Sequence, residues 1–352
     1  MDILFVSDAW PGSYKVRVRL PGKELERRGH KVTVTSLKKF PYDAHPDIAV
    51  FLRGFRADVA SCLSHLRAIG AKIVYDTDDA LDMVPQESPV YWHYISMMGS
   101  VITLWEQADL ITTTTPRLAS HLRTRNTNVL ILPNCVDAGE WAATSRGAGR
   151  CRVGFQGGET HIADLLLVLE PLKALKGKYE IDFVIQGISP PGKTLAAWHK
   201  DCSLIGEDVF HHSSLGEQLS ALLASLKGMS YTSVPSVPVD GHPKLLQSLA
   251  IDVGLCPLRQ GPFNGLKSCL KYYEYAMAGA LTIASRVEPF IHEVGFEYTA
   301  ENTFSSWQEA LTRFVTEPRK RTDVAASQRA WVVANRAIES NIRLWEEAYR
   351  SL

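Results

Sequence analysis

Short apolar β-type runs recur along this chain every ~20–30 residues, with a helical pattern between successive runs. "ILFVS" opens the series, and the segment 20–29 after it is helical in pattern and ends at Gly29. "KVTVTS" and "DIAVFL" follow, then a helix over roughly 57–68, the strand "KIVYDTDD", and the helix-to-strand passage "LWEQADLITTTT". "PRLASHLRTR" begins on a proline, which suits a first helical turn, and "NVLILPN" is the next strand. Strand, helix, strand at this spacing implies βαβ crossovers and a parallel sheet. The alternation pauses at 138–150, "AGEWAATSRGAGR", a polar, small-residue stretch that reads as an interdomain linker. It restarts with "CRVGFQGG", a long amphipathic helix across 162–176 and "EIDFVIQG", and later come "DVGLCPL" and "LTIAS". Two α/β units joined by a linker suggest two facing Rossmann-like lobes. The tail 324–352 is helical, with Trp331 and Trp345 among its apolar positions.

Length and composition permit this. At 352 residues there is room for two cores, and 45% hydrophobic against 22% charged residues is ordinary for a soluble globular protein. With 38 basic and 38 acidic side chains, no net field draws the chain toward nucleic acid or membrane. Local basic clusters exist. Lys15, Arg17, Arg19, Lys23, Arg27 and Arg28 form one, and Arg53 with Arg56 a second, although Glu24 and Glu26 interleave with the first as on a solvated helix face. The six cysteines contain no C-x-x-C pair, which argues against a zinc ribbon or a disulfide framework and fits a reducing cytoplasm. "MDILFVSDAW" is a strand rather than a signal peptide, and no apolar run reaches the ~18–20 residues of a membrane-spanning helix. A membrane, if involved, is met at its surface.

The motifs narrow the chemistry. "SDAWPGSYK" stands where a Gly-x-Gly-x-x-Gly fingerprint would follow the first strand, so redox use of a dinucleotide is disfavoured; a P-loop and a Gly-x-Ser-x-Gly elbow are also absent. "GFQGGETHIADLL" puts Gly157 and Gly158 between a strand and a helix start, where backbone N–H groups and the helix dipole favour a phosphate. A tight βα turn is the alternative, and His161 either reaches the same ligand or caps the turn. In "NGLKSCLKYYEYAMAGALTIAS", a helix over 266–278 would place Lys267, Lys271 and Glu274 on one face and end at Gly279. Lying before a buried-looking strand, that face suits a nucleotide: a carboxylate for the ribose diol, ammonium groups for the diphosphate. "VYDTDDAL" puts Asp76, Asp78 and Asp79 at a strand end of the first lobe. On their own they read as acidic caps of a strand-end turn, and the Asp-Thr-Asp match to a metal motif reads as coincidence.

The block "KSCLKYYEYAMAGALTIAS" resembles the nucleotide-sugar signature of GT-B-fold glycosyltransferases, in particular the retaining family-four (glycosyl transferases group 1) type. "RVRLPGKELERRGHKVTV", "VLILPNCVD", "VGFQGGETHIADLL" and "DVGLCPL" stand in that family's order, so the resemblance spans most of the chain. It implies an α/β GT-B fold: an acceptor-binding Rossmann-like domain over 1–140, a nucleotide-sugar-binding one over 150–325, and a C-terminal helix, 326–352, crossing back to the first. Carried over by position, Glu274 binds the donor ribose and Lys271 the diphosphate, with Asn264, Lys267 and Ser268 nearby and Gly157, Gly158 and His161 at the phosphate turn. Two positions depart from the pattern. Leu266 stands where the family commonly has a second glutamate, and "FQGGETHIAD" lacks the usual arginine and lysine of the phosphate loop, a loss for which Lys267 is the candidate compensation.

The activity implied is transfer of a hexose from a nucleotide-diphosphate sugar, with UDP-glucose favoured as the type, to a hydroxyl acceptor. It would be retaining and metal-independent, with no bound cofactor. Asp76, Asp78 and Lys271 are the catalytic candidates, and Arg17, Arg19 and His93 the acceptor-side ones. A glycan or lipid-linked precursor is the expected acceptor. A hydroxymethylated DNA base is an alternative because arginines cluster in 15–28, and a sugar-nucleotide epimerase or a non-catalytic nucleotide-sugar-binding protein are others.

Overall fold

The computed structural model describes residues 1–142, 150–188 and 215–352; residues 143–149 of the expected linker lie outside these. Two six-stranded sheets organise the molecule. The first holds β1 (Asp2–Ser7), β2 (Lys31–Thr35), β3 (Ile48–Leu52), β4 (Lys72–Thr77), β5 (Leu110–Thr113) and β6 (Val129–Ile131), in the order β2-β1-β3-β4-β5-β6. The second holds β7 (Cys151–Gln156), β8 (Ile181–Gln186), β9 (Thr232–Val234), β10 (Val253–Cys256), β11 (Leu281–Ser285) and β12 (Thr299–Ala300), in the order β12-β11-β10-β7-β8-β9. Every paired strand is parallel. Helices cover both faces, which explains why "IAVFL", "VGLC" and "LTIAS" are buried at every residue and read as unbroken apolar runs. Only at the edge does the pattern relax: "KVTVT" of β2 alternates and is mostly exposed.

Each sheet reverses its strand order once, between β1 and β3 in the first lobe and between β7 and β10 in the second. A crevice opens outside the carboxyl ends of strands at such a point, because the crossovers on either side run to opposite faces. The loops there are Asp8–Trp10 and Arg53 in one lobe, Gly157–Gly158 and Arg259 in the other.

Helical structure after β1 starts at Pro11, before the expected 20–29 segment, and runs through a π turn, Lys15–Arg19, into Leu20–Arg27. The signature helix is shorter than 266–278. It spans Leu270–Met277, after a 3-10 turn at Asn264–Leu266 and an extended Lys267 (ψ 163°), so Lys267 does not share its face with Lys271 and Glu274. Its end follows expectation: Gly279 (φ +77°) lets Ala280 N–H reach the Tyr275 carbonyl (2.8 Å) and its own N–H that of Ala276 (2.9 Å).

The chain returns to the first lobe at its end. The Pro318–Arg336 helix packs on the second sheet, and then Ala337 breaks it in an extended conformation and bridges to Val136. Ile338, Ile342, Trp345 and Tyr349 enter the first lobe's core beside Ile3, Phe5 and Val18. A second tie crosses near the cleft. Thr115 Oγ1 caps the Pro116–Leu122 helix, accepting from Leu118 N–H (3.2 Å), and donates to the Leu266 carbonyl (3.1 Å). Thr115→Ala should therefore cost about 1 kcal/mol of stability, with Thr115→Ser close to the original protein in a urea melt. Equal midpoints for all three would refute the cap.

Candidate functional site

A cleft of about 800 Å³ lies between the lobes. Its floor comes from the second lobe: Gln156, Gly157, Gly158 and His161 after β7, Gln186 and Gly187 after β8, and Lys271 and Glu274 from the signature helix. Trp10, Pro11, Pro89 and His93 of the first lobe form the opposite wall. A smaller cavity of about 260 Å³ adjoins it, lined by Arg53 and Asp79 of the first lobe and Asn264, Lys267 and Arg259 of the second. Trp10, Thr160 and His161 line both.

Glu274 is half-buried at the end of a polar chain. Gln156 Nε2 donates to its Oε2 (3.1 Å), and His242 Nε2 lies 3.5 Å from the same oxygen. Burial opposes the Glu274 charge, yet His242, Lys15 and Lys271 outweigh it and hold the carboxyl below its usual range. Burial also opposes charge on His242, and the Glu274 carboxylate reverses that, raising the imidazole above its usual range. For Lys271 burial wins: Asp164 and Glu274 favour its charge, yet burial lowers its ammonium to about 8. Its Nζ sits over the Phe155 ring at 5.5 Å.

The glycine turn is glycine for a reason of packing. Gly157 and Gly158 do not adopt left-handed backbone, and a Cβ on Gly157 would lie 3.1 Å from Lys271 Nζ and 3.1 Å from the Phe155 ring. Gly158 faces open space. Behind them Gly187 is obligatory on two counts, φ +97° and a Cβ that would lie 2.6 Å from the Gly157 carbonyl oxygen. His161 is half-buried, and its Nδ1 meets Asp164 Oδ2 at 2.9 Å, while Asp164 Oδ1 accepts from Arg259 N–H (2.8 Å). Burial and Lys271 lower the imidazole to about 4, so at neutral pH Nδ1 carries the proton toward Asp164 and Nε2 is an acceptor.

Sequence expectation and structure part company over the first-lobe charges. Arg17 and Asp76 are not at the cleft. They are buried at 1% and 2% exposure as a bidentate pair, Nε to Oδ1 at 2.8 Å and a terminal nitrogen to Oδ2 at 2.6 Å. Thr112 Oγ1 donates to the same carboxylate (2.6 Å), and Arg17 also donates to the Leu132 carbonyl (2.6 Å). Asp78 is likewise engaged, by Arg53 Nε (2.6 Å) and Ser13 Oγ (3.0 Å). Arg19 pairs with Asp240 across the lobes. Indeed every cation of the 15–28 cluster has a carboxylate partner: Glu140, Asp76, Asp240, Asp137, Glu24 and Glu346 for Lys15, Arg17, Arg19, Lys23, Arg27 and Arg28. The cluster is not a free strip for phosphates. Ser268 also turns away, its Oγ accepting from Asn134 Nδ2 (2.8 Å).

Lys267 and Asn264 line the smaller cavity, where Lys267 Nζ lies 3.9 Å from Asp79 and 4.6 Å from the centre of the Phe263 ring. Leu266, where the resemblance leads one to expect a glutamate, packs with Phe263 against the first lobe's core. The groups that sequence reasoning missed are Gln156, His242, Gly187 and Trp10. Gln156 had a usable signal, as a polar residue ending an apolar strand just before two glycines. His242 had none, because only the fold brings it to Glu274.

No protein-family model and no curated protein sequence matches the chain. Solved structures do. HepE of Anabaena in complex with UDP-glucose superposes with a TM-score of 0.67 at 13% identity over 100% of both chains. The fold is GT-B. A trehalose-6-phosphate synthase, studied with bisubstrate glycomimetics for glycosyl transfer with retention, matches with TM-score 0.60 at 14% identity, over 100% of this chain and 99% of that one. The catalytic domain of starch synthase IV from Arabidopsis thaliana, bound to ADP and acarbose, matches with TM-score 0.61 at 11% identity, over 99% and 98% of the two chains. Among the described residues, no helix of this GT-B chain is long and apolar enough to cross a membrane, and no three His, Cys, Asp or Glu side chains are grouped to hold a metal ion.

Proposed function

We propose that the chain is a glycosyltransferase that moves a hexose from a nucleotide-diphosphate sugar of the UDP-glucose type to a hydroxyl of a glycan or lipid-linked acceptor. One observation carries this reading: Glu274, Lys271 and the Gly157–Gly158 turn converge on one cleft at the carboxyl ends of the second sheet. Glu274, held charged and oriented by Gln156 and His242, takes the ribose diol. Lys271 and the amides at Gly158 and after it take the diphosphate, with Lys267 in reserve across the smaller cavity. The solved structures that share the fold hold UDP, UDP-glucose or ADP, which supports the same class of donor.

Transfer proceeds with retention. The acceptor oxygen attacks the anomeric carbon on the face the diphosphate leaves, the C–O bond breaks with its electron pair on the diphosphate, and a diphosphate oxygen takes the acceptor proton. Lys271 and the turn amides stabilise the leaving charge, and no protein nucleophile or metal ion is required. His161, which lines both cavities with its Nε2 left as an acceptor, orients a sugar hydroxyl between the two substrates. Asp76 has no part in this, being spent on Arg17. The paired cations of 15–28 weigh against a DNA acceptor. No disulfide joins Cys62, Cys135, Cys256 or Cys269, which supports a cytoplasmic setting.

The test is donor binding. UDP-glucose should raise the melting temperature, and Glu274→Ala should weaken its binding about ten- to a hundredfold, as expected for lost hydrogen bonds to a charged group. If the variant binds UDP-glucose as tightly as the original protein, the ribose assignment is wrong. Donor consumed only when an acceptor is present separates transfer from epimerisation and from mere binding.

A further inference from the structure

Trp10 is the largest exposed side chain in the cleft, 42% accessible, and it lines both cavities. It ends the loop after β1, at the strand-order reversal of the first lobe, and is anchored by a hydrogen bond from Tyr14 N–H to its carbonyl (3.0 Å). One face of the indole is occupied. His93 stacks on it with ring centres 5.0 Å apart and planes at 26°, and Tyr94 abuts it at 6.1 Å. Both supports are themselves fixed: Arg56 reaches His93 Nδ1 (3.0 Å), and Arg53 donates to the Tyr94 hydroxyl (2.6 Å). Burial, with Arg56 and Arg53 nearby, lowers His93 to about 4, so the ring under the indole is neutral. Arg53 holds this position in left-handed backbone (φ +60°), a costly conformation for a side chain-bearing residue, kept by its bonds to Asp78, Asp79 and Tyr94. The indole so supported presents a flat ring at the edge of both cavities.

Resting on the donor reading above, we propose that Trp10 is the acceptor platform and that the acceptor end bound there is an uncharged pyranose ring. The axial C–H groups of a pyranose carry partial positive charge and match the negative face of an indole. The smaller cavity beside it suits the ring's hydroxyls. Its charges are of both signs and already matched, Arg53 by Asp78 and Asp79, and Asp164 by the Arg259 guanidinium at 3.9 Å, while Lys267 lies 3.9 Å from Asp79. Such a lining offers donors and acceptors without the surplus positive charge a phosphodiester would need. Trp10 and His161 stand on the common wall of the two cavities, so a ring stacked on Trp10 points a hydroxyl toward the donor side.

The experiment uses the full chain saturated with UDP and a panel of methyl pyranosides and neutral disaccharides, with a short single-stranded oligonucleotide alongside. Binding is read by calorimetry for the original protein, Trp10→Phe and Trp10→Ala. At least one glycoside should bind. Trp10→Ala should weaken it about tenfold or more, Trp10→Phe by no more than about threefold, and UDP should bind all three proteins alike. Three results would overturn the proposal: a glycoside bound equally by Trp10→Ala, no glycoside bound although UDP is, or the oligonucleotide bound through Trp10 in place of the sugars. If Trp10→Ala loses affinity for UDP-glucose but not for UDP, the indole serves the donor sugar and the acceptor assignment falls. Failure of the original protein to bind UDP would sink the donor reading instead, so the two failures are separable.

Discussion

Replacing Lys271 by alanine should lower kcat by about 10²–10³-fold, the usual cost of removing one preorganised group that meets developing negative charge. The geometry makes this the most sensitive position in the cleft. Nζ lies beside the Gly157 turn, so near that a single methyl group on that residue would crowd it, and it is backed by the Phe155 ring. The phosphate loop brings no cation of its own, since "GGETHIAD" carries none but the neutral His161. Lysine protonation then sets the alkaline limb of the pH profile. In the free protein burial holds Lys271 at about 8, so kcat/KM for the donor should fall above about pH 8, as the neutral amine replaces the ammonium. Bound diphosphate favours the ammonium, which moves the limb of kcat to higher pH. Lys271→Arg, charged at every accessible pH, should lose the limb while running slower than the original protein. A profile in which the limb survives Lys271→Arg would assign it to another group.

The parallel sheets were legible because their strands are buried on both faces and so stand out as unbroken apolar runs between helical segments. The signature block was legible for a related reason: Gly279, the β11 run and the Lys271–Glu274 spacing are all local, and the helix end they imply forms as written. What misled was the start of that helix. The expected helix begins at Leu266, but with Phe263 that residue is drawn onto the first lobe, and Thr115 holds its carbonyl there. A contact between residues 151 positions apart leaves no mark in local pattern. The same blindness applied to charge. Arg17 lies among five other cations in sequence and reads as a solvated face, whereas the Lys15–Arg19 π turn buries it. Trp10 was on view from the outset in "SDAWPGSYK", but a lone tryptophan in a loop acquires meaning only when His93 arrives beneath it.

Arg17→Ala should destabilise the fold by about 3–5 kcal/mol, because it strands a buried carboxylate rather than merely removing a bond. Asp76 would keep the Thr112 hydroxyl and lose both guanidinium contacts, with no solvent to replace them. The Leu132 carbonyl would lose its donor, and Trp345, 5.7 Å from the guanidinium, would lose a packing partner where the C-terminal helix docks. Removing both charges is a different matter. Ionic pairs of this kind spend much of their attraction on their own desolvation, so Arg17→Met with Asp76→Leu should be more stable than either single substitution. Chemical melts of the three variants read the prediction directly, and UDP binding in the double variant adds a second arm. The pair lies off the cleft, so a folded double variant should bind UDP as the original protein does. Loss of UDP binding there, with stability restored, would return Asp76 or Arg17 to the functional site from which the structure removes them.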